Sequence, residues 1–506
     1  MNHRTFVAGL DAGSQTKANP QPTICWFRND LRLTDHAALA AAAANGPVLA
    51  VFILDDDAAG PWKMGGASRW WLHHSLASLT LNLAQKGGRL VLRRGDTVEC
   101  LETLIKQENA KALYFSRAYE PWAAEQQRCL KERFDHTFGE SVEVKRFAGR
   151  LLLEPEQVST QEGRPYKVFT PFWRASMMQL SARDAEKTKR ARAVPATIQW
   201  HDAKNATSDE LDAWQLLPDK PDWAAGLREF WQPGEKGAFD RLKAFLDLAI
   251  DDYPTGRDQP DEDFTSRLSP YLHFGEISPE QIWRAVKAAA AGNQINETAG
   301  NAFLRQLGWR DFSYHLLSFF PALPESNFRP QFDQFPWQEN QDQLEAWRRG
   351  QTGYPLVDAG MRQLWHTGWM HNRVRMVVGS FLVKHLRMHW RHGENWFWDT
   401  LVDADLANNA ASWQWVAGSG ADAAPYFRIF NPITQGEKFD QHGAYIRHWV
   451  PELRELPKKF LNKPWTAPKQ VLSDAGVVLG ENYPKPIVDH RAAREAALSA
   501  LQQSKG

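Results

Sequence analysis

Cysteine is almost absent from this sequence. Three residues, Cys25, Cys100 and Cys129, are scattered through 506 positions. So few and so far apart, they exclude a disulfide scaffold and a multi-cysteine zinc or iron–sulfur site, and they fit a reducing, cytoplasmic setting. Nor is there an excess of either charge: 60 Lys+Arg balance 60 Asp+Glu, for a formal net charge of zero. A polyanionic partner must therefore be met by a local basic patch. Long apolar runs are missing too, since 377–383 is closed by Lys384 and Arg387, well short of a membrane span. The first 22 residues contain no apolar stretch of the kind a secretion signal needs and read as a flexible tail. Neither G-x-G-x-x-G nor G-x-x-x-x-G-K-[ST] occurs, and Phe27-Arg28-Asn29-Asp30 stands where a dinucleotide fingerprint would. What is in excess is tryptophan, 23 residues against ten tyrosines. With 43% hydrophobic and 24% charged residues the chain is otherwise ordinary globular protein, long enough for about three domains at roughly 150 residues each.

The two halves of the chain differ in period. Short β-rich runs at 22–27, 47–54, 89–93, 112–116 and 142–147 alternate with helix-like stretches at 36–44, 68–85, 98–107 and 123–138. This alternation predicts a Rossmann-like α/β domain over 23–151, a parallel sheet covered on both faces but without a phosphate loop. From 152 to 231 the pattern dissolves into charged and Pro-containing pieces, which predicts a long interdomain connector. Beyond it, 238–250, 279–290, 298–319, 341–350, 355–367, 372–391 and 397–415 carry apolar residues at i, i+3 and i+4. Ser278-Pro279-Glu280 reads as a capped helix start. The fold class is thus α/β plus all-α, with a helical domain over 232–491 and a C-terminal tail at 492–506.

Three segments carry chemistry. The stretch 361–393 holds Arg362, Arg373, Arg375, Lys384, Arg387 and Arg391 and no Asp or Glu. It is either a solvated helix face or a footprint for nucleic-acid phosphates, and Trp365, Trp369 and Trp390 among the charges either stack on bases or fill the core. In the run 403–409, Asp405 and Asn409 lie at i and i+4, with Trp413 at i+8, so they share one face of a continuous helix. They satisfy one another as structural filler, or they line a pocket for a heteroaromatic cofactor, with Asn409 offering both a donor and an acceptor. Asp403 and Asp405 without His or Cys beside them do not make a metal site. Thr265-Ser266-Arg267-Leu268-Ser269-Pro270 sets three hydroxyls and an Arg before a predicted helix, a pattern that caps the helix or binds a phosphate.

Together these segments resemble the photolyase/cryptochrome flavoprotein family, and within it the bacterial cyclobutane pyrimidine dimer photolyases. The resemblance runs from Thr23 to about Arg491 and is carried by CWFRNDLRLTDHAAL (25–39), TSRLSPYLHFGEIS (265–278), GWRDFSYHLL (308–317), TGYPLVDAGMRQLWHTGWMHNRVRM (352–376) and DADLANNAASWQWVAGSGADAAPYFRIFNP (403–432). It implies an antenna role for the α/β domain, a helical catalytic domain that binds FAD, and a cytoplasmic monomer without metal or membrane. The partner it implies is UV-damaged DNA with a flipped pyrimidine dimer, split by an electron from light-excited reduced FAD. Through the resemblance, Tyr253, Thr265, Ser266, Arg267, Leu268, Ser269, Phe303, Arg375, Asp403, Ala404, Asp405 and Asn409 are expected at the FAD. Arg375 is the implied partner of the Asp403 carboxylate, and Asn409 is expected to face flavin N5. Trp413, Trp390 and Trp337 match the family's electron relay. Gln306, Trp309, Arg310, Asn372, Arg373, Met376, Trp415, Arg428 and Gln435 match residues at the lesion or at the flipped strand.

The sequence departs from the family's pattern at two places. Gln306 stands where cyclobutane-dimer photolyases usually have Glu, and enzymes for (6-4) photoproducts carry Gln there. Those enzymes also need a second His, whereas His371 is followed by Asn372, Arg373, Val374, Arg375 and Met376. The lesion expected is therefore the cyclobutane dimer, with a (6-4) photolyase as the alternative. Folate-binding relatives use an Asn-Glu pair where this chain reads Trp122-Ala123, so an 8-hydroxydeazaflavin-like antenna is expected rather than methenyltetrahydrofolate. A cryptochrome-type photoreceptor is a further alternative, which the short stretch after the last matched block disfavours. A non-catalytic flavoprotein of electron transfer is the third, against which the basic segment and lesion-pocket matches speak.

Overall fold

The computed structural model describes residues 21–185, 193–422 and 427–504. The predicted tail at 1–22 lies outside these apart from its last two residues. The first part of the chain forms a five-stranded, all-parallel sheet of β1 (Thr23–Phe27), β2 (Val48–Leu54), β3 (Leu90–Arg94), β4 (Ala112–Ser116) and β5 (Glu143–Phe147), in the order β3-β2-β1-β4-β5. Strands β1 and β2 are apolar nearly throughout because both their faces are covered. Cys25, Phe27, Ala50 and Phe52 join one core, while Ile24, Trp26, Leu49 and Val51 join another. The strand order reverses between β1 and β4, the switch point at which sheets of this type commonly bind ligands.

The helical part is locked onto this sheet by the loop after β1. Arg32 is buried and donates to the Gly275, Thr34 and Asp35 carbonyls, and Leu31 N donates to Phe274 O. Glu235 accepts from the backbone N–H groups of Leu33 and Thr34. Gly275 has φ +67°, and a Cβ there would lie 2.1 Å from Asn29 O, so only glycine allows the loops to meet. His36 caps the helix Ala37–Asn45 through Nδ1 and holds Asp30 through Nε2 at 3.0 Å. Burial alone would raise the Asp30 pKa; the His36 contact overrides it and holds the carboxyl well below the usual range.

Four predicted boundaries differ from what folds. The segment 152–231 contains a helix, Phe169–Ala185, packed on the helix Glu297–Phe319. The single helix predicted at 372–391 is a helix Asn372–Ser380 that runs into a π-helical turn Phe381–His385, and Arg387 takes φ +52° before the next helix starts. The helix predicted at 397–415 is two, Trp390–Thr400 and Leu406–Ala417, parted by 401–405. Residues 492–506 were expected as a tail; helix His490–Gln503 instead packs against the π turn, with His490 Nδ1 2.8 Å from His385 Nε2. The capped start at Ser278 is present, as a reciprocal box with Gln281 and Pro279 in the first turn. No helix among the described residues is long and apolar enough to cross a membrane.

Candidate functional site

The break at 401–405 sets out the central polar cluster. Asp403 accepts from Arg375 at 2.9 Å and from Ser269 Oγ at 2.6 Å, and Arg375 is further fixed by donating to Met370 O. Thr265 and Ser266 are half-buried, and their carbonyls accept from Arg241; Arg267, at φ +51°, turns the loop into the short helix Ser269–His273. Leu268 is buried beneath it. Tyr253 and Phe303 pack edge to face at 5.6 Å against Phe245.

Asp405 differs from expectation. It caps the helix Leu406–Ala417 by accepting from Asn408 N, and its carboxylate also takes Asn408 Nδ2, His273 Nδ1 and the Tyr314 hydroxyl. Burial would raise its pKa, but the His273 contact prevails and the group is held as an anion. Its carboxylate is met by protein donors, and with buried Ala404 it sets the start of this helix.

Asn409 donates to Glu394 O at 3.0 Å, which leaves its amide oxygen for a partner. The Glu394 carboxyl was not singled out in the sequence. It is 0% exposed, neither oxygen has a hydrogen-bond partner, and burial drives its pKa well above the ordinary value. The only trace of it in sequence is a single acid in the aromatic stretch His392-Gly393-Glu394-Asn395-Trp396-Phe397-Trp398. Arg267 Nε and His371 Nε2 are likewise buried without hydrogen-bond partners. Unsatisfied buried polar atoms of both signs around an ion pair, an amide and hydroxyls are what a large polar heteroaromatic ligand would satisfy. These residues fit FAD.

Three indoles lead away from Asn409. Trp413 is 3% exposed and lies flat on Gly393, where a Cβ would come within 2.1 Å of its ring. Trp390, one turn earlier on the same helix as Gly393, is fully buried and donates to Asn327 Oδ1 at 2.9 Å. Trp337 is half-buried. The His389 ring lies 5.4 Å from Trp390 and 5.0 Å from Trp337 and so stands between them. Burial, then nearby Arg391, lower the His389 pKa to about 4, which keeps this bridging ring neutral at physiological pH.

Four of the six basic side chains in 361–393 are paired or buried. Arg362 pairs with Glu452, Arg373 with Asp258 and Arg375 with Asp403, while Lys384 is buried and donates to Ala417 O. Trp390 and Trp369 are core, and Trp365, though exposed, stacks on Trp396. Arg310 also departs from its expected phosphate role: its guanidinium turns inward to Arg150 O and Leu272 O and over the Tyr314 ring. What does open to solvent is a cleft of about 1020 Å³ whose walls include Arg373, Arg428, Gln435, Lys438 and Asp258. Asn372 is exposed, and Gln306, Trp309, Met376 and Trp415 are half-buried. The Gln306 amide nitrogen lies 3.5 Å from Ala302 O, at the outer limit of a hydrogen bond.

Arg373 sits on the cleft wall with its charge shared by Asp258. On the expectation from sequence that Arg373 meets a flipped strand, Arg373→Ala should weaken binding of DNA by about three- to tenfold and reduce the slope of log affinity against log salt by about one, because Asp258 is then left to repel phosphates. Titrations at several salt concentrations check this.

Comparison with known proteins bears on the same geometry. Residues 23–195 match the DNA photolyase family and residues 303–503 the FAD binding domain of DNA photolyase. The chain is 50% identical over 488 residues to a deoxyribodipyrimidine photo-lyase of Agrobacterium fabrum, covering 96% of this chain and 98% of that one. It is 38% identical to Cryptochrome-2 of Arabidopsis thaliana, across 96% of this chain and 79% of the plant protein. A crystal structure of a bacterial class III photolyase from Agrobacterium tumefaciens superimposes with a TM-score of 0.90 at 48% identity, covering 98% of this chain and all of that one. The chain belongs to the photolyase/cryptochrome family of FAD-binding proteins.

Proposed function

We propose that this protein is a light-driven DNA repair lyase that splits cyclobutane pyrimidine dimers. The observation that carries this reading is a pair of half-exposed indoles, Trp309 and Trp415, on two helices, Glu297–Phe319 and Leu406–Ala417, that pack on each other and also carry Gln306 and Asn409. Photolyases are among the enzymes that take a base out of the duplex before acting on it, and indoles offer an extruded pyrimidine a stacking surface. FAD, when bound and reduced, would supply the chemistry, a light-driven one-electron exchange with the dimer. The chain's own residues do the rest. Arg375 and Asp403 fix the polar edge of the pocket, Asn409 presents an amide oxygen, and Trp309, Met376 and Trp415 exclude water from the lesion. Arg373, Arg428 and Gln435 border the cleft by which a strand enters. Trp122, which follows β4 at the start of the next helix, is half-buried, and we propose an 8-hydroxydeazaflavin-like antenna for this domain. Acid release of the chromophore followed by mass spectrometry checks that assignment.

Gln306 offers a neutral amide donor to a thymine carbonyl, a weaker stabiliser of developing negative charge than a charge-assisted or ionisable group. Gln306→Glu should raise dimer splitting per absorbed photon by about two- to fivefold, the factor a fraction of a kcal/mol yields, with binding little changed because the side chains are nearly isosteric. The test is repair of oligonucleotides bearing one cyclobutane dimer or one (6-4) product, by both proteins. Activity of the wild type on the (6-4) product alone, lost in Gln306→Glu, would overturn the lesion assignment.

A further inference from the structure

The segment predicted as a featureless connector supplies a wall to the proposed lesion pocket. Phe169 and Trp173 lie one turn apart on the helix Phe169–Ala185 and face the helix Glu297–Phe319. The Phe169 ring is fully buried and stacks on the Trp309 indole with centroids 3.6 Å apart and planes 8° from parallel. Trp173 continues the series, 6.3 Å from Phe169 at 9°. Phe312 meets both Phe169 and Trp309 edge-on, and the Arg305 guanidinium lies 5.3 Å from the Phe169 ring. The helix that carries Trp309 has glycine just before it, and a Cβ at Gly308 would lie 2.3 Å from the Trp173 ring. The backbone is tied at the same level: Asp311 accepts from Leu152 N and Leu153 N, and Arg310 donates to Arg150 O.

Three near-parallel rings with edge-on support hold one indole in one orientation. One face of Trp309 is covered by Phe169, and the residue nevertheless stays half-exposed. We infer that Phe169, backed by Trp173, is a positioning residue for lesion recognition: it fixes the Trp309 plane so that a flipped pyrimidine adds as the next ring of an existing stack. The recognition chemistry is base–aromatic stacking on a surface already ordered, so little side-chain freedom is lost on binding. Phe169 does not touch the base; it acts through Trp309. The inference rests on the reading of Trp309 as a lesion contact.

The experiment measures affinity of the flavin-loaded protein for two oligonucleotides, one with a single cyclobutane dimer and one undamaged, and takes the ratio. Phe169→Leu keeps apolar bulk and removes the ring. It should lower that ratio by about three- to tenfold, the value of one aromatic pair, with flavin content and undamaged-DNA affinity unchanged. Phe169→Tyr should restore the ratio, which a merely space-filling role would not require. Trp309→Ala separates the two readings. If it leaves the ratio unchanged, Trp309 does not meet the lesion and the inference falls with that reading. If it lowers the ratio while Phe169→Leu does not, the inference alone is overturned. Should Phe169→Leu fail to fold, Trp173→Leu decides: a lowered ratio supports the stack, and an unchanged one overturns it.

Discussion

Replacing Trp413 by Phe will abolish light-driven reduction of the oxidised flavin, at least about a hundredfold in rate, while dimer splitting by chemically pre-reduced protein stays within about twofold of wild type; on the transition-state scale these correspond to about 3 kcal/mol and under 0.5 kcal/mol. Indole gives up an electron far more readily than benzene, so the variant removes the redox partner but keeps an aromatic body in the core. Trp413 is packed edge-on against Phe397 and Trp347 and lies flat on Gly393, so Phe leaves a modest void rather than a clash. Repair from a reduced flavin sends charge toward the lesion and needs no supply through Trp390 and Trp337. Bleaching of the flavin absorbance under blue light, with an external reductant present, reads the first quantity; repair after dithionite treatment reads the second. Ordinary photoreduction in the variant would remove Trp413 from the relay.

The second large effect is expected at the ion pair. The Asp403 side chain is 5% exposed and that of Arg375 is 24% exposed. Asp403→Asn preserves shape but leaves the guanidinium without its counter-charge, and breaking a buried pair in this way costs about 3 kcal/mol or more. Ser269 Oγ, which donates to the same carboxylate, is left to share the one amide oxygen with Arg375. The variant should purify largely without flavin and take it up at least about a hundredfold more weakly, the factor corresponding to roughly 3 kcal/mol. The ratio of flavin to protein absorbance, before and after incubation with excess FAD, checks this. Full flavin content would show that the pair is structural and remote from the ligand.

The parts of the molecule that could be read in sequence are those with a single local cause. Strands β1 to β4 were legible because buried parallel strands are apolar runs bounded by turns, and the capped start at Ser278 because its side chain bonds its own helix. The breaks at 381–389 and 401–405 were not, since apolar residues continue through both in the sequence. The charge run at 361–393 could not be decided in sequence because linear density says nothing about partners: Glu452, Asp258 and Asp403 are 90, 115 and 28 positions from the arginines they neutralise. Arg310 and Asp405 could be matched to a family pattern, but only the fold reveals that both side chains turn inward. Glu394 has no neighbours in sequence that mark it; its lack of partners exists only in three dimensions. The helix Phe169–Ala185 escaped notice because its apolar residues are spread around the helix, with no strong amphipathic stripe.

On the proposed function, this chain converts absorbed light into the splitting of pyrimidine dimers. The most direct test of this is the wavelength dependence of dimer loss from a cyclobutane-dimer oligonucleotide, with purified reduced wild-type protein and a dark control at equal concentration. No loss is expected in the dark, and in the light the yield should follow the absorption of the bound reduced flavin and any antenna. Binding without dimer loss at any wavelength, with the flavin demonstrably reduced, would contradict the proposed function.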